Sequence, residues 1–487
     1  MKFFRGILFY IVFLPLFFAA AEMRVLRIAC FDFPATFNPV YATSETAQAV
    51  MNKIYQSLFY FDGQGKIRPE LVAAASPNEA RLEISLTLKK GAFFADGSAL
   101  SSRDVVATVA LLKNPLFEYP YLADLDFLEK IEAIDPLNLR IKLKGKFAPW
   151  KNYLTFKILN AEEIRSFDPL KFRRHVPMGS GPYKLARRNE PEGFELQGNP
   201  FWPRPGSFAR IRYSVLRESR QAPLKLLNAE IDAVEIHSDD AKTYSQMKKW
   251  QKQFSLMKYN KFGFTYLVFN MKNSRIDRNL RRILYNRLLP TSFLDIFLQG
   301  TGEKVFSPFL YLSAEKRPQP FPTVAMSAPR KLKILTNSES VVRKQLVLFL
   351  CEEMKAFNIE LEPVFVEYKT FLKYLKQGNF DLAVSAFLLD MDWNLKDILG
   401  SDGYFNYAGF SERKMDEVLE KGLHEMDAGK RRKIYDHAHD LWLKSLPLIP
   451  LFNLNYYMGI SRAIKIPQKR FNLIGSCGDF FYNLQGW

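Results

Sequence analysis

Residues 331–388 read KLKILTNSESVVRKQLVLFLCEEMKAFNIELEPVFVEYKTFLKYLKQGNFDLAVSAFL. Three short runs rich in aliphatic and aromatic residues, Lys331–Leu335, Glu360–Val366 and Asp381–Leu388, have the length of strands. Between them, Val341–Phe357 and Lys369–Gln377 space their apolar residues as helices do. A strand–helix–strand–helix–strand order predicts a parallel sheet wrapped by helices, and so an α/β architecture.

Outward from this stretch the same alternation continues. Leu82, Ile84, Leu86 and Leu88 alternate with polar residues, as do Leu139, Ile141 and Leu143, so both segments are expected to be half-buried strands. Val25–Phe31, Tyr183–Leu185, Phe194–Leu196, Ile211–Tyr213, Ile231–Ile236, Phe264–Asn270 and Leu448–Phe452 read as further strands. Helices are predicted at Thr46–Phe59, from Ser101 or Ser102 to Leu112, at Asp277–Leu289, from a Ser411 cap to Leu423, and at Lys430–Leu446. Pro200, Pro203 and Pro205 make residues 199–206 a rigid loop, and Pro308–Pro329 is a Pro-rich connection.

The chain has 487 residues, 69 basic and 51 acidic, for a net charge of +18. Such a balance raises non-specific attraction to anionic polymers and surfaces. The basic residues are spread out, with a modest thickening over Lys242–Lys261 and no zinc-finger spacing or RNP-like segment. A solvated basic surface is therefore expected, with no nucleic acid bound. Cys30, Cys351 and Cys477 form no Cys-x-x-Cys pair and are expected to be free thiols.

Residues 1–21 read as an address. Lys2 and Arg5 precede the apolar run Gly6–Phe18, and Ala19 and Ala21 offer a small-residue cleavage site. Cleavage after Ala21 would deliver the mature chain to the periplasm. None of the five histidines forms a His-Glu-x-x-His pair, and no Gly-x-Ser-x-Gly elbow or phosphate-binding loop occurs. A role other than catalysis is expected, with no metal site and no cofactor.

Several segments resemble, in order, the periplasmic oligopeptide-, dipeptide- and nickel-binding protein family of ABC transporters. Phe93–Val106, FFADGSALSSRDVV, resembles the family's Asp-Gly signature, with Ser102-Arg103 where Thr-Ala is usual. Gly179–Leu185, Asn199–Trp202, Leu226–Asp232 (Ala229 replacing a Gly), Tyr266–Asn270 and Leu446–Leu451 resemble further family segments. Asn286–Pro290 departs from the usual acidic-basic pair. The resemblance implies a two-lobed periplasmic-binding-protein-like α/β fold with a cleft. The first lobe would comprise 22–50, an inserted subdomain at 51–168, 169–263 and a return at 453–487, and the second lobe 264–452.

It also implies a function: capture of a short peptide between the lobes and delivery to an ABC transporter permease, by a monomer. In the family an acid closing a Gly-Trp-x-x-Asp pattern takes the peptide's α-ammonium. The matching segment here is Ala386–Asp390, so Asp390 holds that position, with Asp392 its close competitor. Ala386 and Leu388 match strand residues whose backbone meets the peptide, and Phe387 stands for the Trp. Trp393, Tyr404 and Tyr407 are candidates to line the cleft, and Thr43, Ser44 and Glu45 fall where the first-lobe ligand loop lies. A metal chelate or a sugar is the alternative ligand class. A sensory module of a transcription regulator is a further alternative, but it would carry an N-terminal helix-turn-helix where this chain has its leader.

Overall fold

The computed structural model describes residues 24–165, 167–203, 208–310, 318–324, 328–388, 392, 394–465, 471–474 and 480–481. The leader at 1–21, Pro205, Asp390, Trp393 and Cys477 lie outside the described residues.

The chain opens with strand β1 (Val25–Cys30) and a helix at Glu45–Ile54, whose N-cap Ser44 accepts from the Ala47 N–H. Strands β2 (Phe59–Phe61) and β3 (Ile67–Pro69) pair antiparallel. Then β4 (Val72–Asn78), β5 (Glu83–Leu88), β6 (Leu128–Ala133) and β7 (Asn138–Leu143) form a separate antiparallel sheet in the order β4-β5-β7-β6. Helix Ser102–Lys113 starts where the Asp104 carboxylate accepts the Ser101 N–H at 2.7 Å. Next come β8 (Tyr183–Asn189), β9 (Gly193–Gly198), β10 (Arg210–Val215) and β11 (Ala233–Ile236). The long strand β12 (Phe254–Phe269) and the short β13 (Gly302–Lys304) follow, then β14 (Arg330–Asn337), β15 (Ile359–Val366) and β16 (Leu382–Leu388). A second long strand, β17 (Leu448–Ser461), and β18 (Phe471–Ile474) close the described chain.

The main sheet runs β15-β14-β16-β12-β17-β11-β1-β10-β9-β8. At one end β14 lies parallel to both β15 and β16, the arrangement expected from residues 331–388. At the other end β1 lies parallel to both β10 and β11. Among the described residues, the chain passes between the halves along β12 and β17. Their ladder runs from Phe254↔Ser461 to Val268↔Leu448 and shifts register between Asn260 and Thr265.

The apolar cores divide at the same place. One cluster holds Leu26, Phe37, Tyr55, Leu86, Trp150, Tyr259 and Met458. Another begins at Phe264 and Tyr266 and reaches Leu451 and Phe452 through the helices at Arg278–Leu288, Val341–Met354 and Ala428–Ser445. Between them lie residues 260–263 of β12 and 453–457 of β17, which include Asn260, Lys261, Asn453 and Asn455. These are the two lobes, each with its own core. No helix among the described residues is long and apolar enough to cross a membrane.

The structure corrects three local expectations. The first helix stops at Ile54 rather than Phe59, because Tyr55 turns extended and donates its hydroxyl to the Pro177 carbonyl at 2.6 Å. Gly179 and Gly181 press onto that end: a Cβ on Gly179 would sit 2.0 Å from the Ile54 carbonyl oxygen, and Gly181 N–H donates to the same oxygen at 2.8 Å. That backbone contact is what the GSGP segment supplies. Glu412, not Ser411, occupies the N-cap position before helix Arg413–His424. Finally, β12 and β17 run far beyond Phe264–Asn270 and Leu448–Phe452, into the polar crossing.

Candidate functional site

On the second lobe the open edge is set by where β14 stops. Its ladder with β16 pairs Ile334 with Leu382 and Leu335 with Ala383. The Thr336 hydroxyl then donates to the Val384 carbonyl at 2.9 Å, and β14 ends at Asn337. Beyond this point β16 continues through Ser385, Ala386, Phe387 and Leu388, paired on one side with β12 from Tyr266 to Gly263. Among the described residues no strand pairs its other side. Ala386 is exposed, Leu388 is 43% exposed, and Phe387 leans against Phe264 (6.4 Å between ring centroids) and Phe405 (5.6 Å). The geometry offers an extended ligand a row of backbone groups, the arrangement by which a peptide adds to a sheet edge.

Aromatic side chains stand beside this edge. Tyr266 is buried, next to Ser385. Tyr407 is half-buried, and burial, reinforced by Tyr368 and Tyr404, pushes its phenol up to about 12. It is therefore a neutral hydroxyl at physiological pH. Tyr404 is 65% exposed, and the Lys376 ammonium lies over its ring at 4.2 Å and donates to its hydroxyl at 2.7 Å. Tyr404 is thus tied to the end of helix Tyr368–Gln377.

Asp390 and Trp393 lie outside the described residues, but Asp392 between them is placed, and its position is a correction. Its carboxylate is buried at 6% exposure and receives both guanidinium nitrogens of Arg431, the Nη1 at 2.9 Å. Arg431 also donates to the Gly422 carbonyl at 2.7 Å and to the Tyr435 hydroxyl at 2.9 Å. Burial opposes the Arg431 charge, but the hydrogen bond and charge of Asp392 outweigh it and raise the pKa. An acid neutralised this completely has no charge left for a ligand. Asp392 is instead tied to helix Ala428–Ser445, as is Asn394, whose Nδ2 donates to the Leu419 carbonyl at 2.8 Å and to the Tyr435 hydroxyl at 3.0 Å.

On the first lobe, Thr43 is exposed, Ser44 is committed to its helix cap, and Glu45 accepts the Lys261 ammonium at 2.5 Å. Lys261 lies on the crossing part of β12, only 9% exposed, with its ammonium 4.4 Å from the centre of the Tyr456 ring. Burial pushes its pKa down, but the carboxylates of Glu235 and Glu45 more than reverse this. Glu235 also accepts the Tyr259 hydroxyl. Glu45 therefore links the first-lobe loop to the crossing. Glu235 further lines a recess of about 310 Å³ with Phe31, Arg217, Ser219 and His237. These residues lie at or just beyond the carboxyl ends of β1, β10 and β11, where α/β sheets commonly receive ligands. Lys261, Glu235 and Tyr456 were not singled out from the sequence. A lysine in an apolar strand is a signal, but its carboxylate partners are visible only in three dimensions.

A family model for "Bacterial extracellular solute-binding proteins, family 5 Middle" matches residues 66–405. The oligopeptide-binding protein AppA of Bacillus subtilis (strain 168) is 22% identical over 478 residues, covering 89% of this chain and 86% of AppA. Among solved structures, NikZ from Campylobacter jejuni in complex with Ni(L-His) aligns with a TM-score of 0.77 at 19% identity, over 95% of this chain and 99% of NikZ. The B. subtilis AppA structure in complex with a nonapeptide aligns with a TM-score of 0.72 at 19% identity, over 95% and 98% of the two chains. These likenesses show the two-lobed fold.

Proposed function

The chain belongs to family 5 of the bacterial extracellular solute-binding proteins, and from that membership we propose that it captures short peptides between its lobes for an ABC transporter permease. The observation that carries the reading is the open edge of β16 at Ser385–Leu388, beside a wall of aromatic rings. A peptide laid along it would gain main-chain hydrogen bonds that do not depend on its side chains. Asp390 is the acid we assign to the ligand's α-ammonium. The assignment rests on the match of Ala386–Asp390 to the family's pattern and on the charge-assisted hydrogen bond such a ligand needs. The role is capture rather than turnover, performed by a monomer exported to the periplasm on the strength of residues 1–21.

Thermal melting of the purified mature chain tests this. Di- to pentapeptides, free amino acids, sugars and nickel–histidine chelate are each added in turn. Peptides should raise the melting temperature; a one-site ligand at a hundred times its dissociation constant adds about 2.7 kcal/mol. Peptides that leave the curve unmoved, while the chelate or a sugar raises it, would replace the peptide reading with the other ligand class on the same fold.

A further inference from the structure

The basic thickening over Lys242–Lys261 has a definite place in the fold. Helix Lys248–Gln253 leads into β12, and its one apolar side chain, Trp250, is buried between Tyr244 and Phe254, with ring centroids 5.0 and 5.1 Å away. That anchorage leaves Lys248, Lys249 and Lys252 in solvent, next to Met247, which is 41% exposed. The helix sits at one end of the main sheet. β12 begins opposite the end of β17, with Phe254 facing Ser461. β17 is antiparallel to β11, with Ile460 facing Ala233, and β1 is parallel to both β11 and β10. The amino ends of β1, β10 and β11 therefore share that end. Arg24, Arg210 and Arg462 stand there, all exposed. Backbone contacts tie the parts together: Arg24 Nη2 donates to the Ala463 carbonyl at 3.2 Å, and Arg462 Nε to the Gln251 carbonyl at 2.8 Å. The recess beside Glu235 opens at the opposite ends of the same strands, about 20 Å away along the six residues of β1.

The acids near this end do not balance it. Asp232 accepts two bonds from Arg27, at 2.7 and 3.0 Å. Glu195 is shared by Arg210 and Arg212, and Glu230 accepts Lys225 at 2.7 Å. Among the described residues Arg24, Arg462 and the three lysines of the helix enter no ion pair. A cluster of about four to eight Lys and Arg side chains is what an anionic lipid surface attracts. Here the cations come from separate elements and enclose an apolar side chain, Met247. Such an array matches a wide charged plane with an apolar layer beneath it, rather than one acidic segment of a protein.

We propose that this basic end of the first lobe docks on anionic phospholipid headgroups and holds the exported chain at the membrane surface. The inference rests on the export proposed above and not on the peptide reading. The cleft lies at the other end of the strands, so it stays free in the docked state whatever ligand it takes.

Cosedimentation of the mature chain with vesicles tests the surface. Phosphatidylcholine vesicles with and without phosphatidylglycerol are used, at low and physiological salt. Wild type should sediment with the phosphatidylglycerol vesicles alone, and added salt should release it. Replacing Lys248, Lys249 and Lys252 together by Gln keeps helix-forming residues and should weaken this partition at least about tenfold. The same three-charge change at Lys369, Lys373 and Lys414, exposed on the second lobe, should leave it within about threefold of wild type. Absence of wild type from the phosphatidylglycerol pellet at physiological salt would overturn the proposal. So would an equal loss in the two triple variants, which would trace binding to net charge alone, or tighter binding of soluble polyglutamate than of vesicles, which would assign the surface to an acidic polypeptide. The comparison of the two vesicle types on wild type needs no variant to fold, and the peptide reading is decided separately by the melting screen.

Discussion

Arg431→Met is expected to destabilise the protein by about 3–5 kcal/mol, the cost of leaving one member of a buried ion pair alone. The Arg431 side chain is 13% exposed and that of Asp392 5%. Removing the guanidinium strands a carboxylate in a dry site and also frees the Gly422 carbonyl and the Tyr435 hydroxyl that Arg431 bridges. The double replacement of Asp392 by Leu and Arg431 by Met removes both charges and should recover most of the loss, because desolvation opposes much of a buried pair's attraction. Urea unfolding midpoints of wild type, single and double variants give the comparison. A single variant within 1 kcal/mol of wild type would mean that the pair is solvated and that Asp392 is available to a ligand after all.

Asp390→Asn is expected to weaken binding of a free-amine peptide about a hundredfold, or about 2.8 kcal/mol at 1.4 kcal/mol per decade. The substitution keeps the side chain's size and a hydrogen-bond acceptor but removes the charge that an ammonium ion requires. Truncating one partner of a buried charged hydrogen bond costs about 2–5 kcal/mol in complexes generally. An amino-terminally acetylated peptide should bind wild type as weakly as the free-amine peptide binds the variant. Calorimetry of the four combinations measures the coupling. Affinity within threefold of wild type for the variant would remove Asp390 from the site.

The contrast between these two acids marks how far the sequence could be read. Asp390, the acid proposed for the ligand, and Asp392 stand two residues apart, and nothing in the order of residues tells their roles apart. The difference lies in Arg431, 39 residues further on and brought over by the packing of helices Arg413–His424 and Ala428–Ser445. The alternating strands and helices of 331–388 were legible because each buries a face whose period is written locally: Leu332 and Ile334 in β14, and Leu346, Leu350 and Met354 in its helix. The crossing strands were underread because Lys258, Asn260, Lys261, Asn453 and Asn455 interrupt their apolar pattern. Some of their polar groups are met across the crossing, as when the Asn453 Nδ2 donates to the Lys261 carbonyl at 2.6 Å, while the buried Oδ1 atoms of Asn260 and Asn455 have no hydrogen-bond partner among the described residues. The strand edge at Ala386–Leu388, proposed as the binding edge, was legible from its resemblance to a known pattern.

Peptide capture between lobes that β12 and β17 join implies a hinge at residues 260–263 and 453–457. Small-angle X-ray scattering of the mature chain, titrated with a di- to pentapeptide mixture, tests this most directly. The account predicts a radius of gyration that falls saturably with peptide and does not respond to the same amino acids added free. A scattering curve unchanged at peptide concentrations that saturate the heat of binding would place the ligand outside the cleft and contradict it.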